Sequence, residues 1–374
     1  MIAVRNGSLQ EKTVPVRNYG LDIIKFFLTA MVFLSHTLDF RPETVTLPLF
    51  IRKDNLGWYS VHFFFVISGF LMTNSFFRRY AGNGSADSGK RTAEFVSGRF
   101  KGIAPMYYTA FFMSVVFYFI EDSGRLGAGN FINALYRLVP EALMLNMAGF
   151  DKALYLNLPT WYIQAMLLCM LPVFYLLQRN RDMFLRIIAP LGALGAAVFL
   201  YSTPRGTDCI LTSQLIRGFW GILSGCLGYV IYQRLKKLET TKTMTVLLTA
   251  AEWMIYVFSF AGCYTSIVSE ENNILAAIPF PAAAAITFSG KSLSAKIFSS
   301  PKLKFISGLS TVVYFNHWLA RRIVLTYFPE AGWRRASLYM VLITVLTCLI
   351  CYGLQKLCRL VWNGYLKEKI LVKE

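Results

Sequence analysis

Residues 20–37 read GLDIIKFFLTAMVFLSHT, an apolar stretch that contains three ionisable side chains. Asp22 and Lys25 stand near its start, and His36 stands near its end. A helix needs about 20 apolar residues to cross the roughly 30 Å hydrocarbon core of a bilayer, because each residue advances it by about 1.5 Å. Ionisable residues inside such a span are costly and are candidates for function. The stretch therefore predicts a membrane-crossing helix that carries chemistry.

Stretches of this kind recur along the chain, which has 374 residues, 55% of them hydrophobic and only 16% charged. An average soluble domain carries about 25% charged residues, so an ordinary water-facing surface is missing. The fold class predicted is an all-α, polytopic membrane helical bundle of about ten helices. The predicted spans are 21–40, 58–77, 103–121, 160–178, 185–202, 216–233, 245–265, 273–289, 305–325 and 336–361.

The remaining segments are short. Residues 131–150 are mostly apolar but contain Arg137, Pro140 and Glu141, which predicts an interfacial or re-entrant helix and not a span. A single membrane domain is expected over 1–374, with an N-terminal segment (1–20), the ten-helix bundle (21–361) and a C-terminal tail (362–374).

The distribution of basic residues predicts the orientation of the bundle. Of the 38 Lys and Arg residues, 25 fall on the side that holds both termini, 12 fall in the opposite loops, and Lys25 lies inside a span. Positively charged loops tend to remain in the cytoplasm, so both termini are predicted to be cytoplasmic. The net charge of +18 is then a signal of topology and does not predict a nucleic-acid partner. The chain is expected to be a multi-pass protein of the cytoplasmic membrane.

Lys25 and His36 are predicted to share one face of the first helix. They are 11 residues apart, which places them within about 20° around the helix and about 16 Å apart along it. A cation and an imidazole at two depths of one face favour a site that crosses the membrane. The alternative is structural: Lys25 reaches to the interface beside Asp22, and His36 forms a hydrogen bond to a neighbouring helix.

The other candidate residues are two histidines and a basic segment. His62 opens the second predicted span and His317 lies inside the ninth, and each has a structural role as its alternative. Arg99 and Lys101 precede the third span, where they suit a phosphate-bearing ligand or follow the positive-inside rule alone. Pro105 is expected at an early position of that helix. No metal site is predicted, because Cys348 and Cys351 lie a turn apart without a histidine.

Several motifs together resemble the membrane acyltransferase-3 family of integral-membrane O-acyltransferases, in its short stand-alone form without a fused esterase-like domain. Lys25 and His36 match the family's Arg or Lys, ten residues, then His. The other similar segments are FFFVISGF (63–70), RFKGIAP (99–105), TWYIQAMLL (160–168) and YFNHW (314–318). Two positions depart from the family pattern: Gly102 stands where a second Arg is usual, and Gln164 stands near the place of a Glu found in long members.

The resemblance implies a membrane O-acyltransferase that moves an acyl group, with acetyl as the first expectation, from cytoplasmic acyl-CoA to a hydroxyl of a surface carbohydrate or glycolipid precursor. His36 is then the catalytic residue. Acyl-CoA is a co-substrate, bound by Lys25, Arg99 and Lys101, and no permanently bound cofactor is expected. The residues expected to bind or support the acceptor are His317, His62, Trp161 and Tyr162, the last two as a sugar-stacking platform or as aromatic belt residues.

Two alternatives remain open on the sequence. Transfer directly from the donor and transfer through an acyl-His36 intermediate are both compatible with these residues. A different class, a transporter or flippase of a polar substrate, also uses polar, His-containing paths through helical bundles. The one-sided register of Lys25 and His36 with a basic cytoplasmic mouth favours the acyltransferase, because a carrier does not require it.

Overall fold

The computed structural model describes residues 19–41, 53–80, 87–122, 128–145, 154–203, 210–264 and 273–371. These residues form helices and their connections, and no strand occurs among them. Most of the predicted N-terminal segment and residues 146–150 lie outside the described residues. The helices are α1 (Gly20–Thr37), α2 (Lys53–Arg79), α3 (Ser88–Asp122), α4 (Ala128–Ala142), α5 (Trp161–Arg179), α6 (Arg181–Met183), α7 (Ala189–Ser202), α8 (Ile210–Lys237), α9 (Lys242–Tyr264), α10 (Asn273–Ala277), α11 (Phe280–Ser289), α12 (Leu293–Ile297), α13 (Lys304–Tyr327) and α14 (Trp333–Leu371).

Seven helical segments of the described chain are long and apolar enough to cross a membrane. They correspond to predicted spans one to six and ten, and they confirm a multi-pass helical membrane protein. Predicted spans seven and nine form helices of 23 and 24 residues, α9 and α13. The predicted eighth span is divided into α10 and α11, with Pro279 in the break, because proline cannot continue the backbone hydrogen bonding of a helix. Ten crossings and two cytoplasmic termini stay predictions.

The third predicted span begins earlier than expected. Helix α3 is 35 residues long and starts at Ser88, so Arg99 and Lys101 lie within the helix and not before it. Pro105 is consequently an interior residue, and its expected place near the helix start is wrong. A proline removes one backbone hydrogen bond. A helix this long tolerates the loss, because the turns on either side of the proline remain hydrogen-bonded. At the other end of the chain, α14 continues past the predicted boundary at 361 to Leu371.

Helix α2 occupies the centre of the bundle, where it crosses α8 at very short range. In the apolar segment of α2, 72% of the residues are buried, against 17% in that of α3. A Cβ atom placed on Gly225 of α8 would overlap the backbone carbonyl oxygen of Val66, and one on Gly69 of α2 would overlap that of Ile222. Small residues at helix contacts permit such backbone proximity in membranes. The backbones of α2 and α8 are therefore in direct contact at this crossing.

Helix α4 is only 15 residues long and lies at the edge of the bundle. At about 22 Å it is too short to cross the membrane, which agrees with the interfacial or re-entrant helix predicted for this segment. Ile132 and Tyr136 are exposed on one face, while Ala134 and Leu138 are buried on the other. Glu141 is fully buried, and its carboxylate accepts hydrogen bonds from the backbone amides of residues 156 and 157, at 2.7 and 2.9 Å. The carboxylate thus fixes the chain just before α5.

Helices α1 and α13 lie side by side and run in the same direction. Thr29 contacts Ser310 through their hydroxyl oxygens at 2.9 Å. Seven residues later on both helices, the ring of His36 stacks on the ring of His317. Seven residues are two helical turns, so the contact repeats at equal spacing on each helix. This pairing brings together residues 281 positions apart in the chain.

Candidate functional site

A cavity of about 440 Å³ surrounds His36. We call it the His36 cavity. Its wall is formed by the end of α1 and by residues from four other parts of the chain. The polar and aromatic residues that line it are Ser35, His36, Asp39, Trp161, Gln214, Arg217, Tyr314 and Trp318. The guanidinium of Arg217 lies over the ring of Trp161, 5.3 Å from its centroid, so a cation and an aromatic face form one part of the wall.

The imidazole of His36 is held by an acidic partner on its own chain segment. Its Nδ1 lies 3.4 Å from Oδ2 of Asp39, which follows in a short 3₁₀-helix at residues 38–40. Arg321 of α13 donates a hydrogen bond from Nε to the same oxygen at 3.0 Å. A carboxylate beside Nδ1 favours the tautomer that carries its proton there, which leaves the Nε2 lone pair able to accept a proton. The geometry suits a general base.

His317 supports this arrangement from behind. Its ring stacks on that of His36 at 5.4 Å between centroids, with an angle of 23° between the planes. Nδ1 of His317 donates to the backbone carbonyl of Tyr314 at 2.7 Å, and the side chain is only 1% exposed. His317 is not among the residues that line the His36 cavity. The structure thus brings the two histidines together, with His36 alone of the pair on the cavity wall.

A second cavity, of about 430 Å³, lies toward the start of α1. We call it the Lys25 cavity. The polar residues on its wall come from five helices: Lys25, Thr29, Ser68, Arg99, Tyr162, Ser310, Thr311 and Tyr314. Nζ of Lys25 is 3.7 Å from Oδ1 of Asp22, so the ion pair expected in the structural alternative also forms. The shared face predicted for α1 therefore places Lys25 and His36 in two different cavities.

Arg99 and Lys101 have different surroundings although they are two residues apart. Arg99 lines the Lys25 cavity, and its guanidinium lies 5.2 Å from the centroid of the Phe95 ring. Lys101 is exposed and is not among the residues of that wall. The side chain of Arg79, at the end of α2, is close enough to Arg99 for the two positive charges to repel. Arg79 is a residue that the sequence interpretation missed.

Trp161 and Tyr162 do not form one platform. Trp161 lines the His36 cavity, whereas Tyr162 lines the Lys25 cavity and lies 3.0 Å from the hydroxyl of Ser68. Adjacent residues on a helix point about 100° apart, which is why the two rings face different cavities. His62 is buried, with its ring against Trp220 at 5.2 Å, and it lines neither cavity.

The turn before α5 is tied to α13, and this fixes Trp161 in the wall. Asn157 donates from its side-chain amide to the backbone carbonyl of Phe315 at 2.7 Å. Tyr314 donates from its hydroxyl to the carbonyl of Pro159 at 2.5 Å. Together with the carboxylate of Glu141, these bonds hold residues 156–160 against two helices. The arrangement gives a rigid support for groups that meet a substrate.

Comparison with known proteins adds the family. No curated protein and no solved structure matches the chain. The family model described as an acyltransferase domain matches residues 18–356 of the 374 residues. The match includes both cavities and every residue placed in them above. This chain, a helical multi-pass membrane protein with an imidazole in one cavity and cations in the other, therefore belongs to the acyltransferase-3 family.

Proposed function

We propose that this protein is an O-acyltransferase of the cell membrane, which moves an acyl group from cytoplasmic acyl-CoA to a hydroxyl of a surface carbohydrate or glycolipid precursor. Acetyl is the first candidate for the acyl group. One observation carries the proposal: helix α1 presents Lys25 to one cavity and His36 to the other. A donor with an anionic end and a reactive thioester end needs such a pair of environments.

The Lys25 cavity is the proposed donor site. The positive-inside rule predicts that this cavity lies on the cytoplasmic side, where acyl-CoA is found. Lys25 and Arg99 lie on its wall, and Arg79 adds a third positive charge beside Arg99. Fixed cations of this kind bind phosphate groups through charge-assisted hydrogen bonds. We assign the second arginine-like role to Arg79, because its charge acts on Arg99, which lies on the wall. Arg79 and Lys101 are both exposed, and neither is among the residues of that wall.

The His36 cavity is the proposed site of chemistry. Nε2 of His36 accepts the proton of the acceptor hydroxyl as its oxygen attacks the thioester carbonyl carbon. The C–S bond then breaks, and the same imidazole returns the proton to the departing CoA sulfur. Asp39 stabilises the positive charge that His36 holds between these two proton transfers. An acyl-His36 route uses the same residues and remains an alternative.

The remaining residues are proposed to support the acceptor. Trp161 offers an aromatic face in the His36 cavity, and sugar rings stack on such faces through their C–H groups. His317 keeps the ring of His36 in place by stacking, and its effect on the acceptor is indirect. His62 packs between α2 and α8 against Trp220, so its support is through the fold.

The test is release of CoA by the purified protein in lipid nanodiscs, with acetyl-CoA as donor and a glycan extract of the source cells as acceptor. Free thiol should accumulate only when both substrates are present, and mass spectrometry should find acetylated glycan. The His36→Ala variant is the matched control. A wild-type protein that binds the glycans but releases no CoA would overturn the acyltransferase in favour of a transporter or flippase.

A further inference from the structure

Tyr314 of α13 lies on the wall of both cavities. Lys25 and Arg99 are on one side of it, and His36 is on the other. Helical spacing puts Lys25 and His36 about 16 Å apart along α1. An acyl donor held by its phosphates at Lys25 must therefore extend past Tyr314 before its thioester reaches His36.

The side chain of Tyr314 is fixed at both ends. Its ring lies 6.1 Å from the rings of Phe64 and Tyr162, measured between centroids, and 5.9 Å from that of His317. Its hydroxyl donates to the carbonyl of Pro159 in the turn before α5. Only 6% of the residue is exposed. Tyr314 thus ties α13 to the turn before α5 and borders both cavities.

We infer that Tyr314 closes the passage between the Lys25 cavity and the His36 cavity and positions the thioester of the donor at the boundary. This inference rests on the proposed function for the identity of the donor. The competing reaction explains why such a closure is useful. Water in the His36 cavity can attack the thioester carbonyl, which breaks the C–S bond and yields a free carboxylic acid and the CoA thiol. A closed passage keeps the thioester from water until an acceptor is present.

The first test follows the passage itself and needs no activity. In a protein freed of its native cysteines, Ser35→Cys places a thiol in the wall of the His36 cavity. A membrane-impermeant maleimide is added from the side on which the Lys25 cavity opens. Tyr314→Ala should raise the labelling rate of this thiol about tenfold or more, which is the effect of a barrier lowered by about 1.4 kcal/mol.

The matched control for this test is Phe315→Ala. Phe315 is a buried aromatic neighbour on the same helix, and it lines the Lys25 cavity but not the His36 cavity. Its removal creates space without joining the two cavities. Equal labelling of the Ser35→Cys parent and of a folded protein that also carries Tyr314→Ala would overturn the inference. An equal rise in the Phe315→Ala protein would overturn it too, because the effect would then come from loosened packing.

The second test measures hydrolysis of acetyl-CoA by the purified protein without acceptor. Tyr314→Ala should increase this hydrolysis about tenfold and lower the ratio of transfer to hydrolysis. Tyr314→Phe keeps the ring and loses only the bond to Pro159, so it should resemble wild type more closely than the Ala variant does. Unchanged hydrolysis in a variant whose passage has opened would contradict the shielding role. If the wild-type protein uses no acyl-CoA at all, the proposed function fails, while the labelling result still decides the role of Tyr314.

Discussion

The two cavities of this protein are alike in size and different in chemistry. Both have a volume of about 430–440 Å³, both border α1, and both include Tyr314. One contains an imidazole supported by a carboxylate, and the other contains Lys25 and Arg99. In the proposed function, this difference means that one helix separates donor binding from chemistry, because it presents Lys25 to one cavity and His36 to the other. Substitutions on α1 should therefore affect either turnover or donor affinity, according to the cavity they face.

The largest effect is expected for His36→Ala. General-base catalysis contributes about 10²–10⁴-fold, so transfer should fall by at least a hundredfold while acyl-CoA binding persists. The transfer rate of His317→Ala should lie between those of His36→Ala and wild type, and His62→Ala should retain the most activity of the three variants. Transfer by the three purified variants, with size-exclusion profiles as a check of folding, gives the ranking. A folded His36→Ala protein that keeps more than about a tenth of wild-type transfer would rule out the general base.

The next largest effect is expected for Asp39→Asn. The amide keeps the size of the side chain but loses the charge that stabilises protonated His36, so kcat should fall about tenfold or more. The KM for acyl-CoA should stay unchanged, because Asp39 lines the other cavity. Steady-state kinetics separate the two constants. An increase in KM with kcat intact would show that the two cavities do not divide binding from chemistry.

A smaller effect is expected at Lys25, where substitution should change the affinity for acyl-CoA and not kcat. Lys25→Ala should raise the dissociation constant for acyl-CoA about tenfold, since one phosphate loses a partly desolvated cation. Lys25→Arg should retain much of the affinity because charge and reach survive. Isothermal titration with acetyl-CoA measures both variants. If Lys25→Arg lowers activity as much as Lys25→Ala does, and neither variant changes the affinity for acyl-CoA, Lys25 is instead a structural partner of Asp22.

Arg79 and Lys101 provide a matched pair with a still smaller effect. Arg79→Gln should weaken acyl-CoA binding about fivefold, the effect of an exposed ionic contact of about 1 kcal/mol. Lys101→Gln removes the same charge from the next helix and should leave binding unchanged. The same titration measures both. A larger loss of acyl-CoA affinity for Lys101→Gln than for Arg79→Gln would show that Lys101, and not Arg79, is the second cation that binds the donor.

The mildest perturbation tests the orientation of both cavities. Glu94 at the start of α3 and Glu330 between α13 and α14 are exposed, so cysteines placed there report on the two sides of the membrane. In a cysteine-free protein within intact cells, an impermeant maleimide should label Glu330→Cys and leave Glu94→Cys unlabelled. The opposite result would reverse the orientation and place the Lys25 cavity outside the cell.

The sequence predicts features that repeat along one helix better than contacts between distant helices. Lys25 and His36 lie on α1, and their shared face follows from helical geometry. Asp39 follows His36 by only three residues, a spacing that brings two side chains close on a helix, and the sequence interpretation missed it. The stacking of His317 on His36 joins residues 281 positions apart, so no local periodicity indicates it. Lys101 shows a related limit, because a basic segment gives charge but not the direction of a side chain.

The crossing of α2 and α8 has a consequence for how the protein is made. Gly69 and Gly225 are roughly 150 residues apart, yet the backbone of each helix lies directly against the other. At about 5–20 residues per second, a ribosome needs about 8–30 s to supply α8 after α2 has been made. During that interval, the face of α2 that finally packs against α8 has no partner. We expect nascent chains that stop before α8 to be substrates for membrane proteases, however well their individual helices insert.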